Sequence, residues 1–229
     1  MRAPNSRPDR RTARQLRSMS SECGLLHRAD GSASFSQGGT SVTAAVFGPR
    51  EKRSSRADRA DRATVEVEVH GRKARGAKEA VLENILLGTL EPSIITSLHP
   101  RLCITIVVQV VEEDGSLIAA AINGATLALL NSGIEMAHVV TSATCAITAA
   151  GDVVLDPVDA EERAAAATVT TAVNNTTDGV VLSHTVGAMD EARYFATADE
   201  TARAAGAVLA FIRLALSTKK KKTTEAKTT

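Results

Sequence analysis

Residues 103–133, CITIVVQVVEEDGSLIAAAINGATLALLNSG, decide how the chain is read. Ile104 to Val111 is an almost unbroken β-branched run, which predicts a strand covered on both faces. Glu112-Glu113-Asp114-Gly115 breaks it, Asp114 and Gly115 being turn formers and Gly115 free to take positive φ. Ala119, Ala120, Ala121, Gly124, Ala125 and Ala128 then predict a helix slim enough to lie close against a sheet or another helix. A helix that starts just after a strand is a common place to bind phosphate, because its first N–H groups lack partners. Whether this turn holds an anion is therefore the functional question.

Outward from it, 229 residues allow one large domain or two small ones, and 44% hydrophobic content is enough for a real core. With no Trp, one Tyr and four Phe, that core rests on Ala, Val, Ile and Leu. The same shortage argues against base stacking on aromatic platforms. The net charge of +1 hides a segregation. Residues 1–78 carry 17 Lys or Arg against 8 Asp or Glu, residues 79–218 carry 5 against 17, and the tail 219–229 carries 5 against 1. Such a split suggests one face for a polyanion and another for protein neighbours or solvent. Cys23, Cys103 and Cys145 show no ligand spacing and fit a reduced compartment. No run of ~18 apolar residues predicts a transmembrane helix, and no secretory signal is expected.

Residues 1–20, rich in Arg and without an apolar period, read as a disordered basic arm. One domain is expected over 21–217, followed by a disordered Lys-rich tail over 218–229. Within the domain, Leu25 to Ser32 reads as a strand and turn. Ser32 to Gln37 and Thr40 to Phe47 read as a hairpin about Gly38-Gly39. Thr64 to His70 alternates as a half-exposed strand. Residues 79–90 read as a helix with Val81, Leu82, Ile85, Leu86 and Leu90 inward. His138 to Thr148 and Val153 to Asp156 read as strands, Asp159 to Glu162 as an acidic turn or short helix, and 167–173 with 180–186 as a hairpin. An amphipathic helix over 190–217 presents Phe195, Ala198, Ala202, Ala205, Leu209, Ile212 and Leu216. The order predicts an α+β domain.

Among candidate sites, residues 50–62 hold six basic side chains, Arg50, Lys52, Arg53, Arg56, Arg59 and Arg62. They read either as a solvated linker or as a loop whose arginines fork onto RNA phosphates. Asp152, Asp156, Asp159, Glu161 and Glu162 read as a solvated acidic surface or a salt-bridged subunit contact rather than a metal site. No Walker loop, HExxH, GxSxG or GxGxxG occurs. No cofactor or metal is expected.

Several motifs, Asp30-Gly31-Ser32-Ala33, Gly39-Thr40-Ser41-Val42, Asp114-Gly115-Ser116, Asn123-Gly124-Ala125 and Leu155-Asp156-Pro157, resemble the RNase PH family of 3′→5′ phosphorolytic exoribonucleases. The resemblance runs from about Ser21 to Leu216. It implies an RNase PH-like fold, similar to the second domain of ribosomal protein S5, with mixed sheets packed with helices. It also implies assembly with other RNase PH-like subunits into the hetero-oligomeric six-membered ring of the RNA exosome. That ring carries S1 or KH cap proteins and surrounds single-stranded RNA, in the nucleus, nucleolus and cytoplasm, with no membrane involved. Active members bind phosphate with a threonine and an arginine where this chain has Leu117 and Ile118. They place two carboxylates where it has Glu162 and Thr168. The resemblance therefore implies an inactive homologue that supports RNA processing and degradation, including rRNA maturation and mRNA turnover. The alternative is an active phosphorolytic exoribonuclease or a homodimeric nuclease. On this reading the loop from Arg50 to Arg62 lies beside the RNA path.

Overall fold

The computed structural model describes residue 7 and residues 9–51, 61–72, 76–177 and 179–228, with side chains as far as 218. Two sheets enclose one helix. The first sheet contains β1 (Met19–Cys23), β2 (Gly31–Gln37), β3 (Thr40–Arg50), β4 (Thr64–His70) and β5 (Cys103–Glu112), in the order β1-β2-β3-β5-β4. It is mixed, since β4 runs parallel to β5 while the other pairs are antiparallel. The second is antiparallel, built from β6 (Val140–Ile147), β7 (Val153–Leu155), β8 (Ala167–Asn174) and β9 (Val180–Gly187) in the order β7-β6-β8-β9. The helices are α1 (Ala77–Leu90), α2 (Leu117–Ser132), α3 (Asp159–Ala164) and α4 (Glu191–Thr228). The expected α+β architecture with mixed sheets is what the chain adopts.

Small side chains explain the position of α2. All of residues 119–129 are buried, with β2 and β3 on one side and β6 on the other. Gly124 is where the helix comes closest, since a Cβ there would sit 2.8 Å from Val42 Cγ2. The polar residues inside this layer are bonded. Asn123 Nδ2 donates to the Ser142 carbonyl at 2.9 Å, and its Oδ1 accepts from the Ser142 N–H at 2.9 Å. Thr126 Oγ1 donates to the Val140 carbonyl. β7 pairs β6 only over Cys145–Ile147, so α2 supplies the hydrogen bonds that a longer β7 would have made.

Several expectations are corrected. β5 is covered on one face. Ile104, Ile106, Val108 and Val110 are buried, whereas Gln109 and Val111 are exposed and Thr105 and Val107 half-exposed. The β-branched run reflects strand propensity on the open side as well as burial. The first strand is Met19–Cys23, with Leu25 and Leu26 in the exposed turn after it. In α1 the buried residues are Leu82, Leu86, Thr89 and Leu90, and Val81 faces outward. The buried stripe of α4 is Thr197, Thr201, Ala204, Ala205, Val208 and Ile212, with Phe195 on the opposite side. By length and hydropathy alone Glu191–Thr218 could span a membrane, but that stripe packs on β6 and β8.

The described residues near both chain ends take up defined positions. Arg7 and residues 9–20 are held against the body of the domain, Arg7 and Arg17 being buried, because their guanidinium groups find carboxylates and backbone carbonyls there. At the other end the backbone of α4 stays helical to Thr228. Residues 207–228 have no Gly or Pro to stop it, and lysine is a good helix former.

Candidate functional site

The sharp turn before α2 is built from motifs far apart in sequence. Gly115 takes φ +76°, and a Cβ on it would lie 2.5 Å from the Pro157 carbonyl oxygen, so only glycine fits. Thr40 Oγ1 donates to the Gly115 carbonyl at 2.6 Å and accepts from the Asp114 N–H at 3.1 Å. Ser116, itself left-handed at φ 54°, donates its hydroxyl to the Pro157 carbonyl.

Arg17 sits at the centre. Its Nη1 donates to the Asp114 carbonyl at 2.6 Å and its Nη2 to the Gly115 carbonyl at 3.2 Å. Its Nε and Nη2 reach Asp156 Oδ1 at 3.0 and 2.7 Å, and its backbone N–H reaches Oδ2 at 2.8 Å. Both side chains are shut off from solvent, 5% exposed for Arg17 and 0% for Asp156. Burial pushes the Asp156 carboxyl up, but the Arg17 hydrogen bonds and charge, with help from Gln37, outweigh it and hold it below its ordinary value. Removing one member of such a buried pair costs about 3–5 kcal/mol, since the other is left unpaired.

The helix start is already occupied by an anion of the chain's own. Glu162 Oε1 accepts the Ser116 N–H at 2.6 Å. A carboxylate is favoured there by the helix dipole. Burial nevertheless raises the Glu162 carboxyl above its usual range, the Ser116 N–H and the Arg17 charge opposing that rise only in part. Leu117 and Ile118 are half-buried and pack against the main core. Thr168 is on β8, half-buried, between Ala146 and Val186.

Much of the acidic cluster is paired within the chain. Arg7 makes a two-point contact with Glu161 at 2.9 and 2.7 Å, and Arg163 pairs with Asp159 at 2.7 Å. Asp156 and Glu162 are satisfied as described, and Asp152 is exposed. Among the described residues no group of three or more His, Cys, Asp or Glu side chains could hold a metal ion. Among the described residues, Arg7, Arg14 and Arg17 of the basic first part thus pair with Glu161, Glu200 and Asp156 of the acidic part.

Of the basic loop, Arg50 ends β3, where its Nη2 bonds Asp30 Oδ2 at 2.9 Å and its guanidinium lies 5.4 Å from the Phe47 ring centre. Arg62 pairs with Asp61 at 2.9 Å. About half of each side chain is exposed. Lys52, Arg53, Arg56 and Arg59 lie outside the described residues. Burial pushes the Cys145 thiol up to about 12, which leaves it unreactive at neutral pH.

Arg7, Arg17, Thr40 and Asp156 form the hub, and sequence reasoning gave none of them that role. Two signals could have pointed there. The arginines at 7, 11, 14 and 17 recur every three or four residues. Asp156 is a lone charge after the apolar run Val153-Val154-Leu155, a place where a carboxylate needs a partner.

Two sheets around an enclosed small-residue helix, with the GTS, DGS and LDP motifs joined at its start, define a class that the comparisons name. The chain belongs to the 3′ exoribonuclease family, RNase PH: the family's domain 1 matches residues 15–135 and its domain 2 residues 138–199. Among its relatives is the exosome complex exonuclease RRP46 homolog of Arabidopsis thaliana, 33% identical over 226 residues, covering 90% of this chain and 94% of that protein. Human exosome complex component RRP41 is 39% identical over 141 residues, 57% of this chain and 58% of that protein. The crystal structure of rice (Oryza sativa) Rrp46 superposes with a TM-score of 0.87 at 32% identity, covering 92% of this chain and all of the other.

Proposed function

We propose that this chain is a non-catalytic ring subunit of the RNA exosome, which completes the ring and leaves nucleolysis to associated enzymes. The observation that carries the reading is the self-filled helix start. The Glu162 carboxylate takes the Ser116 N–H, and the flanking positions are the apolar Leu117 and Ile118. A helix start so filled offers phosphate one donor fewer and one carboxylate to repel it, and the Leu117 and Ile118 side chains add neither donor nor charge. Thr168 supplies no second carboxylate to work beside Glu162, so the pair needed for metal or proton chemistry is incomplete. The Arabidopsis and human relatives, named as exosome complex proteins, support the assembly. The partners are other RNase PH-like ring subunits, S1 or KH cap proteins and single-stranded RNA, in the nucleus and cytoplasm.

The test is the purified protein given RNA, inorganic phosphate and Mg²⁺. No nucleoside diphosphate should be released; phosphate-dependent release would overturn the reading in favour of an active phosphorolytic enzyme. The basic loop is proposed to face the RNA. Replacing Arg50, Lys52, Arg53, Arg56, Arg59 and Arg62 by Ala should weaken RNA binding by the assembled ring. It should also flatten the salt dependence, by a log–log slope of about 0.7 for each phosphate that the loop neutralises. An unchanged slope would make the loop a linker.

A further inference from the structure

β7 is three residues long and forms one margin of the second sheet, with β6 on its inner side. Its outer side is not left open. The Leu155 N–H donates to the Ala13 carbonyl at 2.8 Å. Arg7 Nη1 donates to the Leu155 carbonyl at 2.9 Å, and Arg7 Nη2 and Arg11 Nη2 donate to the Asp156 carbonyl at 3.0 and 3.1 Å. Arg7 Nε and Nη2 grip Glu161, Arg7 Nη1 also donates to the Thr12 carbonyl, and Arg14 pairs with Glu200 at the α4 side. These residues, Arg7 to Arg14, all precede Gln15, where the match to the family's domain 1 begins. Every partner just named lies within the domain 2 match or one residue beyond it. Arg7, Arg11, Ala13 and Arg14 thus reach across to clasp the second half.

We infer that the segment comprising Arg7 and residues 9–14 is a strap that opens independently of the domain, and that the β7 edge beneath it is a recognition surface for an extended, arginine-bearing segment, occupied in cis. The chemistry is explicit. Leu155 offers a backbone donor and acceptor in strand geometry, Asp156 a second carbonyl, and Glu161 a carboxylate that takes a guanidinium through two bonds. Backbone pairing supplies attachment, and Glu161 selects arginine over lysine because the two-point contact needs the planar fork. Leu16 and Arg17, which lie within the domain 1 match, pack or bond to both halves of the fold and form the fixed root of the strap. The inference does not depend on the ring assignment.

The Leu155 amide reports the strap directly. In the unaltered full chain, residue-resolved hydrogen exchange should show Leu155 exchanging by a local opening that low denaturant does not change. Ile106 in β5 and Ala125 in α2 should open only with the whole domain. Arg7→Ala should speed Leu155 exchange at least tenfold and leave Ile106 and Ala125 as they were. A synthetic peptide of residues 7–17, added to that variant, should restore Leu155 protection, and a peptide with its arginines changed to lysine should not. The inference is overturned if Leu155 in the unaltered chain opens with the core. It is equally overturned if Arg7→Ala leaves Leu155 unchanged or speeds all three amides alike, or if the peptide gives no protection or the lysine peptide protects equally.

Discussion

The Ser116 N–H points at Glu162 Oε1 across 2.6 Å, so the first donor of the central helix is spent on a side chain 46 residues away. Glu162→Gln keeps an oxygen for that N–H and removes the charge that burial disfavours. The variant should therefore lose no more than about 1 kcal/mol at neutral pH, the worth of one charge-assisted bond over a neutral one. Urea unfolding at pH 7 measures it. A loss well above 2 kcal/mol would mean that the negative charge itself holds α3 to α2.

Asp156 and Glu162 pull the pH profile in opposite directions. The folded Asp156 carboxyl is held below its ordinary 3.8, so its contribution is fully present above that value and is lost as the pH falls through the depressed folded value. The folded Glu162 carboxyl stands above its ordinary 4.5. Its contribution is fully present below 4.5 and is lost as the pH rises through the raised folded value. Thermal unfolding between pH 3 and 8 should give a maximum in the weakly acidic range. Glu162→Gln should flatten the fall on the alkaline side. Asp156→Asn should lower stability by about 3–5 kcal/mol, because Arg17 is left buried without its counter-charge, and should weaken the fall on the acid side.

Asn123 satisfies two buried backbone groups of Ser142 with one side chain. Asn123→Ala leaves both unpaired and should cost about 2–4 kcal/mol in urea unfolding, with the denaturant slope unchanged. Val81→Ala, on the outer side of α1, should stay within about 0.5 kcal/mol and serves as the comparison.

The sequence made most elements legible because their signals are local. The alternation of Thr64 to His70, the Gly38-Gly39 turn and the small-residue run of α2 each specify their own backbone, and β4, the β2–β3 hairpin and α2 form there. What stayed hidden was relational. Nothing local tells that Arg17 crosses to Asp156, 139 residues on, or that Arg7 reaches Glu161, 154 residues on. An arginine with no apolar neighbours looks the same whether it meets water or a carboxylate. The facing of β5 failed for a similar reason: Val107 and Val111 suit a strand whether or not anything covers them. At the site, the apolar character of Leu117 and Ile118 was readable from the sequence, whereas the carboxylate seated at Ser116 required the fold.

The enclosure of α2 also sets an order for biosynthesis. A helix buried along eleven consecutive residues has no side that water can satisfy on the core's behalf. Its coverings are β2 and β3, made before it, and β6, made after it. Until β6 has also left the ribosome, the emerged chain carries an apolar helix with part of its cover missing. Closure must wait for the second sheet. In that interval the chain is exposed to aggregation and to capture by chaperones, a vulnerability that belongs to the topology and not to any single residue.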